Sequence, residues 1–237
     1  MSNPLDRVDG TKKFDFSPSP NLFASREGPR ATKGVGAGKA KSKAERVLYE
    51  TRQKMQSVRE SLAGHGPGGF PEPGELVRLT TFADINALTI LLRGVEVFER
   101  VEVILAAYSI NQRAIFAIRH LLGGGAVSHA LVLGSDTITW RDPARIREMW
   151  QTAEMYPDLV EFGMANNHAK VIAFRPAAGG RDRPHIVVTG SANLASNSRI
   201  EDYAMTNSVE GWDHYEEWMR EMIEPLPDPA TLKDKDS

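Results

Sequence analysis

From residue 75 onward, apolar positions follow two alternating patterns. Short apolar runs of about four to eight residues, typical of strands, alternate with stretches in which apolar residues recur every three or four positions, typical of helices. The predicted strands are Leu76–Phe82, Val101–Tyr108, Ala130–Leu133, Leu159–Phe162, Ala169–Phe174, Ile186–Thr189 and Glu201–Thr206. The predicted helices are Ile85–Leu92, Gln112–Leu122, Pro143–Met155 and Trp212–Ile223. This order predicts an α/β fold with a mixed, largely parallel β-sheet flanked by helices. The strands after residue 159 have no helix between them, so we expect mixed or antiparallel pairing there.

The first 74 residues follow a different pattern. Residues 1–43 are rich in Gly and Pro and predict a flexible, disordered basic arm. Residues 44–63 predict a single amphipathic helix, followed by a Gly/Pro linker to residue 74. The apolar stripe of this helix needs a partner surface, which is either the body of the same chain or the same helix of a second subunit. The domain follows over residues 75–224, and the Pro- and charge-rich residues 225–237 are expected to be a disordered tail.

Composition excludes several classes of site. The chain has 237 residues and no cysteine, so it has no disulfide framework, no thiolate zinc site and no cysteine nucleophile. No segment approaches the ~18 consecutive apolar residues of a membrane span, and the first residues lack the apolar core of a signal peptide. We therefore expect a cytoplasmic protein without stable membrane association.

The net charge of −2 hides an uneven distribution. Residues 1–64 carry 13 Lys and Arg against 7 Asp and Glu, a net charge of +6, whereas residues 65–237 carry 16 against 24, a net charge of −8. A basic arm can bind the phosphates of nucleic acid, and it can also serve only as a solubilising tail. The candidate contact residues of the arm are Lys33, Lys39, Lys41 and Lys43.

The segment around His168 carries candidate chemistry. His168 and Lys170 are two residues apart at the start of a predicted strand, so their side chains point to the same face. Two adjacent positive charges repel each other, which favours a neutral histidine beside a fixed ammonium. Such a pair suits an anionic substrate, with the histidine acting as nucleophile or base.

A second segment adds groups that bind phosphate. Gly190, Ser191 and Asn193 follow an apolar strand and offer a backbone turn, a hydroxyl and a carboxamide to phosphate oxygens. Glu201 stands at the start of the next strand, where a carboxylate can orient an imidazole through its Nδ1–H.

With these residues the chain resembles the phospholipase D superfamily, whose hallmark is His-x-Lys, then an Asp, then Gly-Ser-x-Asn, with a downstream Glu. The matching positions are His168, Lys170, Gly190, Ser191, Asn193 and Glu201. Only one His-x-Lys occurs, as in the single-motif members that include small nucleases. The resemblance implies a phospholipase D-like domain over residues 75–224 and a homodimer that brings two motifs around one active site.

The resemblance also implies a mechanism. His168 of one subunit attacks phosphorus and forms a phosphohistidine, and His168 of the other protonates the leaving oxygen and then activates water. Lys170, Asn193, Gly190 and Ser191 hold the phosphate oxygens, and Glu201 orients the histidine. No metal and no other cofactor is implied. The implied partner is nucleic acid, with DNA favoured over RNA. A phospholipid hydrolase and a non-catalytic module for DNA binding or assembly are the alternatives.

One position departs from the family pattern. The family's Asp falls on Arg175, and the link to Gly190 is a long Gly/Pro/Arg loop in which Asp182 is a candidate substitute. This departure is the main support for a non-catalytic module. Among the other histidines, His185 is expected to be at the surface or hydrogen-bonded, and His214 is expected to pack within the last helix. Trp140, in a predicted turn, is a further candidate for stacking on a base.

Overall fold

The computed structural model describes residues 54–82, 85–136, 142–191 and 200–231. The strands are β1 Leu76–Phe82, β2 Val101–Ala107, β3 Val127–Ser135, β4 Val160–Ala165, β5 Lys170–Pro176, β6 Ile186–Gly190, β7 Ile200–Asn207 and β8 Glu224–Pro225. The helices are α1 (residues 54–62), α2 Ala87–Phe98, α3 Gln112–Gly123, α4 Pro143–Met155 and α5 Val209–Met222. Short 3₁₀ turns cover Pro67–Gly69 and Pro229–Thr231. No helix in the described ranges has the length and apolarity that crossing a bilayer requires.

All eight strands form one mixed sheet in the order β1-β7-β6-β5-β2-β3-β4-β8. Strand β3 runs parallel to β2 and to β4, and the other five pairings are antiparallel. The α/β class and the mixed sheet are therefore confirmed, as is the mixed or antiparallel pairing after residue 159, where β4 is parallel to β3 and the other pairings are antiparallel. The expectation of a largely parallel sheet is wrong, because β5 enters antiparallel beside β2 and the later strands continue from it without crossover helices.

Two apolar layers cover the sheet. Helices α1 to α4 pack on one face around a large core that includes Ile90, Ile115, Ile146 and Phe174. Helix α5 packs on the opposite face, where Trp212 and other buried residues form a smaller cluster. The alternation of side chains along each strand supplies both layers.

Helix α2 differs from its predicted bounds at both ends. It begins at Ala87, because the Asn86 side chain accepts the Thr89 amide and the Thr89 hydroxyl accepts the Asn86 amide, which forms a capping box. It also continues through Gly94 to Phe98. A Cβ at Gly94 would lie 2.4 Å from the Phe174 ring, so this glycine permits close packing of the helix on the sheet and does not end the helix.

The described part of the N-terminal helix docks on its own chain. Val58 and Leu62 are fully buried in the large core, and Arg59 forms an ion pair with Glu96 of α2. The apolar stripe of residues 54–62 therefore packs on the body of the same chain, which is the first of the two alternatives given above. The predicted arm, with Lys33, Lys39, Lys41 and Lys43, and the first part of the predicted helix lie outside the described residues.

The predicted disorder from residue 225 is wrong for residues 225–231. Glu224 and Pro225 pair with Met164 and Gly163 as an edge strand, and Trp150 Nε1 donates a hydrogen bond to the Pro227 carbonyl at 3.0 Å. A high content of proline and charge weakens regular structure, but it does not prevent a segment from pairing with an exposed strand edge.

Candidate active site

The order of the strands brings the His168–Lys170 segment and the Gly190–Ser191 segment to the same edge of the sheet, the one formed by the strand ends. Because β5 is antiparallel to both β2 and β6, its first residue lies level with the ends of those strands. Lys170 stands opposite Ala107 of β2, and Gly190 at the end of β6 stands opposite Tyr203 of β7. Strands β3 and β4 also end at this edge, with Ser135 opposite Ala165.

His168 and Lys170 are in direct contact at this edge. Lys170 Nζ lies 3.2 Å from His168 Nδ1 and 3.1 Å from the His168 carbonyl oxygen. An ammonium has no lone pair, so Nδ1 must accept this hydrogen bond and the ring proton is assigned to Nε2. His168 is exposed and Lys170 is half-buried, so solvent and ligands can reach the pair.

Two residues without a role in the sequence analysis hold His168 in place. The Tyr108 ring, just after β2, lies 4.8 Å from the His168 ring between centroids. Asn167 is buried, and its Nδ2 donates to the Gly134 carbonyl of β3 at 2.8 Å. The loop that carries His168 is therefore anchored on β3 and flanked by the end of β2, a consequence of strand order that sequence spacing does not reveal.

Gly190, Ser191 and Glu201 form a hydrogen-bonded turn next to the pair. The Ser191 hydroxyl donates to Glu201 Oε2, and the Ser191 and Asp202 backbones are linked by an amide-to-carbonyl hydrogen bond of 3.1 Å. A Cβ at Gly190 would lie 2.5 Å from the Tyr203 ring, so only glycine fits here. Glu201 is 4% exposed, so a buried carboxylate fixes the serine at the turn.

Tyr203 lies below this turn with a buried hydroxyl. Burial, and then the negative charge of Glu201, raise the pKa of the Tyr203 phenol, which keeps it protonated. The hydroxyl is near the Ala87 amide but makes no hydrogen bond of ordinary geometry with the described residues. A cavity of about 10 Å³ between Tyr203 and Lys170 has about the space that one water molecule needs.

The structure changes the role expected for Glu201. The sequence analysis expects this carboxylate to bind Nδ1–H of His168, but Nδ1 faces the Lys170 ammonium and Glu201 binds the Ser191 hydroxyl. Asn193 lies outside the described residues, as does Trp140. His168, Lys170, Gly190, Ser191 and Glu201 do come to the same edge. No group of three or more His, Asp or Glu side chains in the described ranges is arranged to hold a metal ion.

Arg175 lies far from this edge. It is five residues along β5 from Lys170, or about 16 Å at the rise of an extended strand. Its guanidinium binds Glu102 of β2 at 2.6 Å and stacks on the Trp212 ring at 4.2 Å. Asp182 is exposed in the loop after β5, at Arg175's end of the sheet, so it does not replace a carboxylate near His168. The family's Asp position is therefore used here for packing and ion pairing.

The remaining histidines differ from expectation in one case. His185 is 1% exposed, and its Nδ1 donates to the Arg183 carbonyl at 2.6 Å, in agreement with a hydrogen-bonded histidine. His214 is expected from the sequence to pack within α5. It is exposed instead, and its ring meets the Tyr215 ring edge to face.

With this geometry the chain is similar to solved structures that include the following three. The phosphatidylserine synthase of Haemophilus influenzae is 12% identical, with 84% of this chain and 51% of that chain covered and a TM-score of 0.50. The polyphosphate kinase of Porphyromonas gingivalis is 16% identical, with coverages of 65% and 27% and a TM-score of 0.46. A mutant yeast tyrosyl-DNA phosphodiesterase 1 is 18% identical, with coverages of 45% and 25% and a TM-score of 0.30.

These similarities concern the fold. No protein-family model and no curated protein sequence matches the chain. The similarity to the phosphatidylserine synthase shows that this chain has the phospholipase D-like fold that its motifs imply. The chain spans about half the length of that synthase and about a quarter of the polyphosphate kinase.

Proposed function

We propose that this protein is a metal-independent phosphodiesterase, and specifically a nuclease that cleaves DNA or RNA through a phosphohistidine intermediate. The observation that carries the proposal is the convergence of His168, Lys170, the Gly190–Ser191 turn and Glu201 on one accessible edge of the sheet. An imidazole and an ammonium in contact suit nucleophilic attack on an anionic phosphodiester.

The first step begins when phosphate binds at Lys170. The phosphate oxygens replace His168 Nδ1 as the acceptor for the ammonium, which frees Nδ1 to take the ring proton and leaves Nε2 with its lone pair. Nε2 attacks phosphorus and forms the N–P bond. The P–O bond to the leaving group breaks, and its electron pair stays on the departing oxygen. His168 of the partner subunit supplies the proton to that oxygen.

The second step releases the product. His168 of the partner subunit is now neutral and takes a proton from water. The water oxygen forms a P–O bond, and the N–P bond breaks with its electron pair returning to His168. Lys170 balances the charge on the phosphate oxygens in both steps, and Glu201 positions the neighbouring Ser191 turn. A covalent intermediate on histidine gives water the role of the second nucleophile without metal activation.

The position of Arg175 favours an active enzyme over a non-catalytic module. The residue that departs from the family pattern contacts Glu102 and Trp212 about 16 Å along β5 from Lys170, so the departure does not alter the contact between His168 and Lys170. The substrate is a separate question, because a fold does not determine a substrate. The basic arm and the single motif favour nucleic acid over phospholipid.

The proposal is tested by cleavage of DNA and RNA in EDTA. We expect wild-type protein to cleave in EDTA and His168→Ala to lose at least about 10²–10⁴-fold in rate, because it lacks both nucleophile and acid. His65→Ala is the matched control, since His65 is also exposed but lies beyond α1. Reactions with ³²P-labelled DNA, quenched with detergent at alkaline pH because the N–P bond of a phosphohistidine is labile in acid, should label His168.

Four results would contradict parts of this proposal. Activity that survives His168→Ala, or that requires a divalent metal, contradicts the mechanism. A fully active monomer in sedimentation analysis contradicts the shared site. Cleavage of phosphatidylglycerol vesicles in the absence of any cleavage of nucleic acid would point to the phospholipid alternative.

A further inference from the structure

A groove of about 320 Å³ opens beside Lys170 on the face of the sheet that carries α5. Its floor is the start of β5 and the end of β6, and its wall is α5. We call it the aromatic groove; it is lined by Ala169, Lys170, Val171, Thr189, Gly190, His214, Tyr215 and Trp218. Its volume falls within the range of pockets that hold small ligands.

Three aromatic rings form the wall. The His214 and Tyr215 rings lie 5.1 Å apart at 65°, and the Tyr215 and Trp218 rings lie 6.3 Å apart at 81°. In each of these edge-to-face contacts the edge of one ring lies against a face of the other, so each contact covers one face of one ring and leaves the other faces of the pair for further contacts. Tyr215 and Trp218 pack against the small core cluster, which fixes their orientation. A rigid aromatic surface of this kind favours a flat, conjugated ligand.

The mouth of the groove is shared with the candidate active site. Lys170 lines the groove and also contacts His168 at 3.2 Å, and Gly190 belongs to the turn that presents Ser191. The floor includes the small residues Ala169 and Thr189. The side chain of Lys170 alternates with those of Ala169 and Val171, which face α5, so a ligand with its anionic group at Lys170 Nζ would reach around the strand ends to place its neighbouring group against the rings.

The charge on α5 limits what that ligand can be. The helix carries five carboxylates against one arginine: Glu210, Asp213, Glu216, Glu217 and Glu221 against Arg220. A second phosphate along this wall would be repelled, whereas an uncharged ring would not be. The groove thus suits one neutral aromatic group attached to the phosphate at Lys170, and it does not suit an extended run of phosphates.

We propose that the aromatic groove binds the nucleobase next to the scissile phosphate, and that the enzyme is consequently selective for single-stranded nucleic acid. A base within a duplex is already stacked and paired, so it enters such a groove only after it leaves the helix, whereas an unpaired base is free to stack. This inference rests on the proposed nuclease function and adds to it the strandedness of the substrate.

The test compares two single-stranded oligonucleotides with the same phosphates, one bearing bases and one abasic throughout, in EDTA. We expect Trp218→Ala to lower kcat/KM for the base-bearing strand by about 10- to 100-fold, since stacking on one aromatic side chain contributes about that much per base. The rate for the abasic strand should change less than about twofold. Wild-type protein should cleave the base-bearing single strand faster than the same sequence as duplex, and Trp218→Ala should reduce that preference.

Control variants distinguish a loss of base stacking from a loss of folding. Phe116→Ala removes a half-buried ring from α3, on the other face of the sheet, and should leave both rates unchanged. Trp218→Phe keeps an aromatic face and should retain most of the preference for bases. Tyr215→Leu provides a second position if Trp218→Ala melts at a much lower temperature than wild type.

The outcomes are distinct for the two proposals. Suppose that wild-type protein cleaves both strands, and that Trp218→Ala and Tyr215→Leu slow cleavage of neither strand or slow cleavage of both strands equally. That result overturns the groove proposal and leaves the nuclease proposal intact. A loss of dimer mass in Trp218→Ala would assign the groove to a subunit interface and also overturn it. If wild-type protein cleaves neither strand in EDTA, the nuclease proposal fails and the groove proposal fails with it.

Discussion

The two ends of strand β5 carry cations in opposite situations. At the end, Arg175 is held by Glu102 and by the Trp212 ring, with Arg183 also near Glu102 at 3.4 Å. At the start, the described hydrogen bonds of Lys170 go to the imidazole and carbonyl of His168, and no described carboxylate pairs with it. A cation that the protein has already neutralised stabilises the fold, whereas a cation facing a neutral acceptor can exchange that acceptor for a ligand's anion.

The largest expected effect comes from removing the cation at the start of β5. Lys170→Ala should lower the rate of phosphodiester cleavage by about 10³-fold, because one preformed charge on the transition state is lost. The free energy of unfolding should change by less than about 0.5 kcal/mol, since no buried partner loses its charge. Cleavage assays and urea denaturation measure the two quantities. Lys54→Ala, on α1, is the matched control and should alter neither; equal loss of activity in both variants would contradict the contrast.

A smaller effect, on the free energy of unfolding, is expected at the Arg175 end of β5. Arg175→Asp restores the family's residue but places a carboxylate directly opposite Glu102 in the sheet. It should lower the free energy of unfolding by about 2–3 kcal/mol, less than for a fully buried pair because about a fifth of each side chain is exposed. The activity of the folded fraction should stay within about twofold of wild type.

A charge exchange provides the control for that variant. Adding Glu102→Lys to Arg175→Asp restores an opposite pair and should recover part of the lost stability, as the coupling in a double-mutant cycle. If Arg175→Asp instead left stability unchanged and raised cleavage more than tenfold, the position would belong to the catalytic edge, and the contrast between the two ends would be wrong.

Local sequence predicts the chemistry at this edge better than it predicts the sheet around it. His168, Lys170, Gly190, Ser191 and Glu201 stand at or next to the ends of consecutive strands, and antiparallel pairing of neighbouring strands brings them together. Tyr108 contacts His168 across 60 positions because β5 inserts beside β2, and such non-local pairing leaves no local pattern. The partnership of Arg175 with Glu102 has the same origin.

Helix α5 shows a second limit of sequence patterns. Its aromatic residues predict one buried face, and Trp212 and Met219 are indeed buried. Tyr215 and Trp218 are only half-buried, because the helix extends beyond the small residues at the start of β5 and leaves the groove open there. Periodicity identifies which residues share a face of a helix. Whether that face is buried depends on the shape of the surface against which the helix packs.

The smallest expected effect is on the way stability depends on pH, and it arises at the Arg175 end of β5. Burial lowers the pKa of His185, and the charges of Arg175 and Arg183 lower it further, against opposing effects of the Arg183 carbonyl and Asp213. The unfolded chain, with a histidine pKa of about 6.5, then binds the proton more readily, so stability present above pH 6.5 is lost as the pH falls below it. His185→Gln should reduce the fall in urea midpoint between pH 7.5 and 5.5, whereas His129→Gln should keep the wild-type fall. An unchanged fall in His185→Gln would mean that other groups, such as His120, whose pKa burial also lowers, account for the acid sensitivity.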